Sequence, residues 1–271
     1  MKYREILKEK NKIVVKVGTN LLTYSNGKLN LKRMEQLVRV LADLRNSGKE
    51  VILVSSGAVG VGVGRVGLNE RPKDLVLKQA LAAIGQAELI RLYQRFFDEY
   101  DQKVAQVLLT RDGIENPVRR KNARNTLHTL TDMGFIPVIN ENDTVSTAEI
   151  EFGDNDTLSA LVSILVQADL LLILTNIDGV FTADPLINQS ARLVRKVMDA
   201  DNDLKDIDLN GKTNLGTGGM ASKIAAAELC REHEIDVVIT NGNHPEIIFD
   251  ILDGEDLGTF FISEATSKMA V

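Results

Sequence analysis

The stretch that decides the fold runs from Ile136 to Asp156 and reads I-P-V-I-N-E-N-D-T-V-S-T-A-E-I-E-F-G-D-N-D. Its apolar, β-branched start at Ile136–Ile139 is typical of a buried strand. Acids and amides follow at once, and a second polar group stands just before an apolar helical pattern; these residues are Asn140, Glu141, Asn142, Asp143, Asp154, Asn155 and Asp156. Ligands of open α/β sheets bind at the carboxyl ends of strands, so the stretch predicts a metal site, a polar-substrate site or simple helix capping.

On either side of this stretch, strand-like and helix-like segments alternate along the chain. Continuous apolar runs predict strands at Lys12–Val17, Val51–Val54, Val104–Leu109, Ile136–Ile139, Leu170–Leu174 and Asp236–Thr240. Helical spacing predicts helices at about 31–44, 73–100 and 122–133, after Asp156, after Gly219 and after Pro245, with a short hairpin around Phe181–Val197. This alternation indicates an α/β fold with a mainly parallel sheet covered by helices on both faces.

No repeat, low-complexity tract or Pro/Gly-rich linker divides the sequence. We therefore expect a single domain over residues 1–271, with a change of role near Thr175. The part at about 1–174 is expected to carry one ligand, and the part at about 175–271 is expected to carry another.

Composition argues against several classes of protein. The chain has 271 residues, of which 44% are hydrophobic and 26% charged, as in ordinary globular proteins. It has no apolar run of about 18 residues and no apolar centre near its N-terminus, so we expect neither a membrane span nor a signal peptide. Cys230 is the only cysteine, which fits a reducing cytoplasm. A net charge of −6 and a pI near 5.3 argue against nucleic-acid binding.

Two strand ends carry short motifs that suit ligand binding. Lys16 and Gly18 stand at the end of the first strand, where a lysine ammonium group and a glycine amide that can approach a ligand closely suit phosphate binding. The alternative is a surface lysine followed by a turn glycine. The second strand is followed by a loop that we interpret as substrate-binding, Ser56, Gly57 and Ala58. The run G-V-G-R-V-G at 62–67 spells a dinucleotide fingerprint, but it stands several residues past that turn, which argues against dinucleotide binding.

A glycine-rich segment that opens a helix, G-T-G-G-M-A-S-K at 216–223, is the second strong signal. Converging glycine amides and a helix start attract phosphate, and a lysine in the first helical turn can reach the same oxygens. The alternative is a flexible glycine linker before a helix. The residues assigned to phosphate are Thr217, Gly218, Gly219, Met220, Ala221, Ser222 and Lys223.

The end of the fifth strand, Thr175-Asn176, opens a run rich in turn residues. A nucleotide base or ribose could bind there, and turn chemistry alone would also account for most of these residues. The three histidines and Cys230 show no metal-ligand spacing, so no direct metal site is predicted.

Taken in order, these blocks resemble the amino-acid kinase family. The resemblance is carried by V-V-K-V-G-T, V-S-S-G-A, P-V-I-N-E-N-D-T-V-S-T-A-E-I, F-G-D-N-D, G-V-F-T-A-D-P and G-T-G-G-M-A-S-K, from about Ile13 to Lys223. Within the family, the chain looks most like the branch that acts on glutamate. This implies a three-layer α/β/α sandwich of the carbamate kinase-like type. It also implies ATP-dependent phosphorylation of the L-glutamate side-chain carboxylate to L-glutamyl 5-phosphate, the first step of proline biosynthesis.

The resemblance also implies a role for each matched position. The expected catalytic residues are two phosphate-binding lysines and the carboxylate that orients them, Lys16, Lys223 and Asp156. The expected glutamate-binding residues are Ser56, Gly57, Ala58, Asn140, Asp143 and Asn155. The expected ATP-binding residues are Lys16, Gly18, Thr175, Asn176 and the segment Thr217–Lys223. Asn176 stands where other members often carry Asp, which leaves its effect on the nucleotide open.

Elementary chemistry agrees with these roles. A glutamate carboxylate is ionised at neutral pH, so its attack on phosphorus needs alignment and charge neutralisation rather than a general base. We expect Asp143 to pair with the substrate α-ammonium group and Asp156 to hold the lysines. Mg²⁺ is expected to enter with the ATP phosphates. The opening stretch is thus interpreted as the join between two substrates, with Asp154 as a compatible helix cap.

Other expectations come from the resemblance alone. Proline is expected to act as a feedback inhibitor that overlaps the glutamate site around Asn140–Asp156. The chain is expected to form a dimer or tetramer, to be coupled functionally to glutamate-5-semialdehyde dehydrogenase, and to lack the C-terminal PUA domain of many bacterial members. Two alternatives stay open: a kinase for another small acid, such as aspartate or acetylglutamate, and a non-catalytic amino-acid or nucleotide sensor of the same fold.

Overall fold

The computed structural model describes residues 2–24, 28–146, 155–185, 187–205 and 219–269. Strands within these ranges form one sheet: β1 (Lys12–Val17), β2 (Glu50–Ser55), β3 (Lys103–Leu109), β4 (Phe135–Glu141), β5 (Leu170–Thr175), β6 (Lys196–Val197), β7 (Asp236–Asn241) and β8 (Thr259–Phe261). Their spatial order is β3-β4-β2-β1-β5-β7-β8-β6. Strands β3 to β7 in that order are parallel, whereas β8 is antiparallel to β7 and parallel to β6. The predicted mainly parallel sheet is confirmed.

Helices fill the connections between the strands. The longer ones are Leu31–Asn46, Ala58–Val66, Leu75–Asp98, Pro117–Asp132, Asn155–Val166 and Met220–Arg231. The shorter ones are Lys2–Glu5, Thr19–Leu22, Arg111–Glu115, Ala200–Asp203, Ile247–Leu252 and Glu264–Met269, with a 3₁₀ turn at Ile6–Glu9. Over the described ranges, none of these helices is long and apolar enough to cross a membrane.

Apolar side chains cover both faces of the sheet. Successive strand residues point to opposite faces, so on β1 Ile13 and Val15 enter one core while Val14 enters the other. The first core is covered by Leu31–Asn46, Leu75–Asp98 and Ile247–Leu252, and the second by Pro117–Asp132, Asn155–Val166 and Met220–Arg231. The fold is therefore the predicted three-layer α/β/α sandwich.

One helix begins earlier than the sequence pattern predicts. The helix expected from about Asn122 begins at Pro117, because the Asn116 side chain accepts hydrogen bonds from the amides of Val118 and Arg119. Asparagine before the first turn and proline within it are both favourable at a helix start. The capping residues Asn116 and Pro117 therefore mark the start of this helix in the sequence, several residues before its apolar side chains begin to repeat at helical spacing.

In the described residues, the hairpin predicted around Phe181–Val197 is present as an antiparallel bridge between Phe181 and Leu193, with the amide of Val194 donating to the carbonyl oxygen of Val180. Lys196–Val197 then leaves that bridge and forms β6, which pairs in parallel with β8. A pairing partner more than sixty residues further along the chain has no local sequence signal, so the hairpin prediction was wrong for this strand.

The glycines of the run at 62–67 serve helix packing rather than a dinucleotide. Gly62 lies within the helix Ala58–Val66, and a Cβ atom on it would stand 2.0 Å from the carbonyl oxygen of Leu81. On the facing helix Leu75–Asp98, a Cβ atom on Gly85 would stand 1.8 Å from the carbonyl oxygen of Ala58. The two helix backbones therefore touch, which only glycine permits at these positions.

Candidate active site

Strands β1, β2, β4 and β5 end together at one edge of the sheet. Val17 on β1 lies beside Ser55 on β2 and beside Leu174 on β5. On the far side of β2, Val54 lies beside Ile139 on β4. The polar residues that follow these strands are therefore brought to the same edge, where ligands of parallel sheets bind.

A buried carboxylate between two lysines forms the centre of the site. Asp156 Oδ1 lies 2.5 Å from Lys16 Nζ, and Asp156 Oδ2 lies 2.8 Å from Lys223 Nζ. Ser222 Oγ lies 3.0 Å from the same Oδ2 atom. Asp156 is fully buried, and Lys16 and Lys223 are only 5% and 8% exposed. Two cations around one anion leave excess positive charge in a poorly solvated place, which suits an anionic ligand.

Three separate elements supply this lysine–aspartate cluster of Lys16, Asp156 and Lys223. Lys16 lies on β1, whereas Asp156 and Lys223 lie in the first turns of the helices Asn155–Val166 and Met220–Arg231. An acid is favourable in a first turn because the helix dipole is positive there. The three predicted catalytic residues, distant in sequence, thus meet in space.

One glycine leaves room next to Lys16, and another begins the helix that carries Lys223. A Cβ atom on Gly18 would stand 3.7 Å from Lys16 Nζ, so glycine keeps the space beside that ammonium group free of side chain. Gly219 caps the helix Met220–Arg231 in extended conformation, and a Cβ atom there would meet nothing within 4 Å. Met220, Ala221 and Ser222 form the first turn of this helix, whereas Thr217 and Gly218 lie outside the described residues, as does Asp154 with its predicted cap.

A network of amide groups lies next to the lysine–aspartate cluster. Asn155 donates through Nδ2 to Ser56 Oγ at 2.9 Å and to Asn140 Oδ1 at 2.8 Å. The Asn140 oxygen also accepts the backbone N–H of Glu141 at 2.9 Å. Asn140 Nδ2 in turn donates to Gln86 Oε1 at 2.7 Å. The structure therefore brings together Ser56, Asn140 and Asn155, which the sequence assigned to one substrate.

A buried tyrosine on the helix Leu75–Asp98 contacts the end of β2, directly before the loop that contains Ser56. Tyr93 OH lies 2.9 Å from Ser55 Oγ, and Tyr93 is fully buried. Burial raises the pKa of the Tyr93 hydroxyl, so this group stays neutral. Gly57 has φ 108°, a left-handed conformation that favours glycine, and Ala58 begins the next helix. The loop is thus a fixed turn that presents Ser56 to the site.

Two acids at the end of β4 carry buried oxygens without partners. Glu141 and Asp143 are 6% and 5% exposed, and Glu141 Oε1 and Asp143 Oδ1 have no hydrogen-bond partner among the described residues. Asn155 Oδ1 is a further buried acceptor of this kind. Burial, with the neighbouring Glu141 carboxylate, raises the pKa of Asp143 to about 7, and burial also raises the pKa of Glu141. Such acceptors attract a positively charged ligand group.

Thr175 and Asn176 lie at the end of the neighbouring strand β5. Thr175 Oγ1 donates to Asn176 Oδ1 at 3.3 Å, and the Thr175 carbonyl oxygen accepts the Gly242 amide at 2.8 Å. Asn241, at the end of β7, donates to Asp178 Oδ1 at 2.9 Å. The described hydrogen bonds of Thr175 and Asn176 therefore tie them to each other and to the end of β7 rather than to the lysines.

Three residues of the site had no role in the sequence interpretation: Gln86, Tyr93 and Glu141. Gln86 and Tyr93 lie on the helix Leu75–Asp98, and their partners are 54 and 38 residues away in sequence. No local pattern could have indicated them. Glu141 did carry a signal, because it belongs to the polar cluster that directly follows β4.

Within the part of the chain that the structure describes, no three His, Cys, Asp or Glu side chains gather as a metal-binding group. Asp156, the most buried acid of the site, has both oxygens in contact with lysine ammonium groups. Its charge is therefore already balanced by the protein.

A sequence model of the amino acid kinase family matches residues 11–241. That range contains the whole lysine–aspartate cluster, the amide network and the two acids at the end of β4. The chain belongs to the amino acid kinase family. Its relatives within this family include the glutamate 5-kinase of Clostridium perfringens, 49% identical over 265 residues that cover 96% of this chain and 98% of the relative. The glutamate 5-kinase of Enterococcus faecalis is 48% identical over 263 residues, covering 96% and 97%.

Solved structures of a carbamate kinase and a UMP kinase share the fold. The carbamate kinase from Giardia lamblia bound to AMP-PNP superposes with a TM-score of 0.67 at 14% identity, covering 95% of this chain and all of that one. The UMP kinase from Ureaplasma parvum gives a TM-score of 0.64 at 16% identity, covering 94% and 99%. These similarities confirm the predicted carbamate kinase-like architecture.

Proposed function

We propose that this chain transfers the γ-phosphoryl group of ATP to the side-chain carboxylate of L-glutamate, forming L-glutamyl 5-phosphate as the first step of proline biosynthesis. The observation that carries the proposal is the contrast between two adjacent residues. Asp156 contacts two lysine ammonium groups, whereas Asn155 Oδ1, like Glu141 Oε1 and Asp143 Oδ1 at the end of β4, is a buried acceptor without a partner among the described residues. A site with these two sides fits a phosphate donor next to an amino acid. The 49% and 48% identical glutamate 5-kinases support the same substrate.

On the phosphate side, Lys16 and Lys223 bind the oxygens of the transferring phosphoryl group. Asp156 contacts both ammonium groups, so it holds them at a fixed separation before ATP arrives. The negative charge of the transferring group then meets prearranged cations, which is the main form of catalysis available to phosphoryl transfer. Backbone amides at the start of the helix Met220–Arg231 add donors for the same phosphates.

On the amino-acid side, Asp143 pairs with the α-ammonium group of glutamate. Glu141 lies close enough to raise the pKa of Asp143, so the two acids together present negative charge to that group. Ser56 and Asn155 hydrogen-bond the polar groups of the substrate, and the turn at Gly57 and Ala58 encloses it. Glutamate held by its ammonium end can direct its side-chain carboxylate towards the lysines.

The reaction needs no general base in this arrangement. The glutamate carboxylate is already ionised at neutral pH and attacks phosphorus directly. The protein contributes alignment of the two substrates and neutralisation of charge, and the nearness of Asn155 and Asp156 on one helix provides that alignment. No proton has to move for the phosphoryl group to be transferred.

The two halves of the chain divide the substrates between them. Residues at about 1–174 bind glutamate, and residues at about 175–271 bind ATP through Thr175, Asn176 and the segment Thr217–Lys223. Mg²⁺ fits here as part of the nucleotide substrate, held mainly by phosphate oxygens, because Mg²⁺ is commonly bound through substrate phosphates with few protein ligands. The charge of Asp156 is already balanced by the lysines, so this acid orients cations of the protein.

Four further features accompany the proposed activity. Proline inhibits by overlapping the glutamate site around Asn140–Asp156. The chain forms a homo-oligomer, a dimer or tetramer, and acts in the cytoplasm. Its labile product passes to glutamate-5-semialdehyde dehydrogenase. Proline raising the apparent KM for glutamate without lowering the limiting rate is the expected sign of overlap.

The activity is tested with the purified chain, Mg²⁺ and ATP, by following ADP release and by trapping the acyl phosphate with hydroxylamine. Glutamate, aspartate and N-acetylglutamate are compared. We expect kcat/KM for glutamate to exceed that for the other acids by at least about 100-fold, because a site built to hydrogen-bond a substrate rejects analogues strongly.

Either alternative predicts a different outcome. A higher kcat/KM with aspartate or acetylglutamate would identify a kinase for another acid. ATP or glutamate binding without ADP release and without hydroxamate would identify a sensor. Both alternatives are disfavoured by the 49% and 48% identical relatives named as glutamate 5-kinases and by the complete lysine–aspartate cluster.

A further inference from the structure

We propose that Gln86 is a positioning residue that fixes the orientation of the Asn155 amide through Asn140. In doing so, it sets the preference for an acid that carries a free α-ammonium group. The inference rests on the proposed glutamate kinase activity and deepens it. Gln86 lies half-buried on the helix Leu75–Asp98, and its side chain contacts Asn140.

The orientation of the whole network begins at one backbone group. The N–H of Glu141 can only donate, and it donates to Asn140 Oδ1 at 2.9 Å. The side-chain oxygen of Asn140 must therefore point towards the backbone N–H of Glu141, and the side-chain NH₂ group of Asn140 must point the other way. That NH₂ group meets Gln86 Oε1 at 2.7 Å, so Gln86 supplies the acceptor that this orientation requires.

The same constraint passes from Asn140 to Asn155. Because Asn140 presents oxygen, Asn155 must present its NH₂ group, which donates to Asn140 Oδ1 at 2.8 Å and to Ser56 Oγ at 2.9 Å. Both N–H groups are then used. Asn155 Oδ1 is left buried and without a partner among the described residues. The outcome is a fixed acceptor oxygen on the substrate side of the network.

This outcome matches the two acids at the end of β4. Glu141 Oε1 and Asp143 Oδ1 are likewise buried acceptors without partners in the described part of the chain. An ammonium group has N–H donors and no acceptor, so it is complementary to a set of oxygens. If the Asn155 amide were reversed, its NH₂ group would replace the oxygen and would repel the α-ammonium group.

Close helix packing holds Gln86 at the right distance. The preceding residue, Gly85, approaches so closely that a Cβ atom on it would stand 1.8 Å from the carbonyl oxygen of Ala58. Ala58 belongs to the turn that presents Ser56. The backbone of the helix that carries Gln86 therefore packs directly against the start of the helix Ala58–Val66, which holds the Gln86 backbone in place next to the loop of Ser56.

Three variants test the role of the Gln86 oxygen. Gln86→Met keeps the length of the side chain and removes the acceptor, Gln86→Glu keeps an acceptor oxygen, and Gln94→Met makes the matched change at an exposed position of the same helix. For each, KM and kcat are measured with glutamate and with glutarate, which lacks the α-amino group, together with KM for ATP and the melting temperature.

We expect Gln86→Met to raise KM for glutamate about 10-fold, as for loss of one well-placed hydrogen bond, with kcat and KM for ATP within about 2-fold of the unsubstituted chain. Its preference for glutamate over glutarate should fall by a similar factor. Gln86→Glu should stay within about 3-fold of the unsubstituted chain, because its carboxylate still accepts from Asn140. Gln94→Met should change none of these quantities.

An unchanged KM for glutamate and an unchanged preference over glutarate in Gln86→Met would overturn the proposal. So would equal damage in Gln86→Met and Gln86→Glu, or a rise in KM for ATP together with a lowered melting temperature, because either result describes a purely structural side chain. If the unsubstituted chain does not phosphorylate glutamate, the proposed function itself fails, and this result is separate from any property of the variants.

Discussion

Asp156 and Asn155 are neighbours in the chain, yet the two sides of the site that they serve differ in how their polar groups are satisfied. Around Asp156, both carboxylate oxygens are engaged by lysines before any ligand binds. On the amino-acid side, by contrast, buried oxygens of Asn155, Glu141 and Asp143 have no hydrogen-bond partner among the described residues. The first side is complete in the protein alone, whereas the second is completed only by a cationic group.

Under the proposed function, this difference sets the orientation of the amino acid in the site. Excess positive charge attracts the anionic phosphates and the reacting carboxylate, while unpartnered acceptors attract the ammonium group. A buried acceptor without a partner is destabilising by roughly 1–3 kcal/mol, so binding of an ammonium group should also stabilise the fold. In the proposed complex, the α-ammonium group of the substrate therefore lies at the unpartnered acceptors, and its side-chain carboxylate points towards the lysines.

The largest effect should come from breaking the phosphate side. We expect Lys16→Ala and Lys223→Ala each to lower kcat by at least about 100-fold, because each removes a cation that meets the charge of the transferring phosphoryl group. Asp156→Ala should lower kcat similarly by releasing both lysines. Steady-state kinetics with glutamate and ATP, together with thermal melting, measure these effects.

Lys12→Ala is the matched control for these lysine variants, because Lys12 lies at the opposite end of β1. It should leave kcat unchanged. Near-normal kcat in all three site variants would contradict the catalytic role of the lysine–aspartate cluster. A melting temperature close to that of the unsubstituted chain shows that lost turnover is not lost folding.

The amino-acid side should respond in binding rather than in turnover. Asp143→Asn should raise KM for glutamate at least about 30-fold, since removal of one partner from a buried charge pair typically weakens binding by 2 kcal/mol or more. The KM for ATP should not change. Asp132→Asn, an exposed acid elsewhere on the surface, serves as control. An unchanged glutamate KM in Asp143→Asn would mean that the ammonium group is bound elsewhere.

The amino-acid side should also show a pH dependence of KM for glutamate that comes from Asp143. The pKa of Asp143 is raised from 3.8 to about 7, and only its ionised form pairs with an ammonium group. As pH falls from 8 to 6, Asp143 becomes protonated, so KM for glutamate should rise about tenfold. Asp143→Asn should flatten this profile between pH 6 and 8. A profile that stays steep in the variant would assign the titration to another group.

The same shift bears on stability. Because the folded chain binds this proton more tightly than an unfolded Asp with its pKa of 3.8, the Asp143 contribution lowers stability as pH rises from about 4 through 7. Asp143→Asn should therefore raise the melting temperature of the ligand-free chain at pH 8 more than at pH 5. Added glutamate should stabilise the unsubstituted chain at pH 8 but not the variant.

The smallest effect on KM should come from Tyr93, which contacts Ser55 directly before the loop of Ser56, Gly57 and Ala58. Tyr93→Phe removes the hydrogen bond to Ser55 and should raise KM for glutamate about 3-fold while lowering the melting temperature by about 2–4 °C. Tyr100→Phe is the control, because it removes a 2.6 Å hydrogen bond to Glu35 that lies away from the site. The control should lower the melting temperature without changing KM. If the two variants behave alike, Tyr93 has no share in holding the loop.

Much of this site was predictable because its residues follow strands that the sequence marks clearly. β1 and β5 are continuous apolar runs, and parallel pairing brings Lys16 and Thr175 to the same edge. The order of the motifs then indicated the family, which suggested partners for Asp156. The structure places Asp156 in contact with both lysines.

The remainder depended on contacts that no local pattern records. Gln86 and Tyr93 lie within an ordinary amphipathic helix, and only the seating of Gly85 on Ala58 brings them beneath the site. The raised pKa of Asp143 depends on burial, which a sequence of polar residues does not suggest. β6 was missed for the same reason, since a two-residue strand has no signal apart from its partner.

The position of β1 in the sheet has a consequence during synthesis on the ribosome. Among the strands of the described sheet β1 is made first, yet it lies between β2 and β5, with over a hundred residues separating Ser55 at the end of β2 from Leu170 at the start of β5. At typical translation rates, the edge of β1 that pairs with β5 therefore has no partner strand for roughly ten seconds after β2 has been made. A nascent chain with such an edge is open to mispairing, so we expect slow translation or high temperature to lower the yield of folded protein.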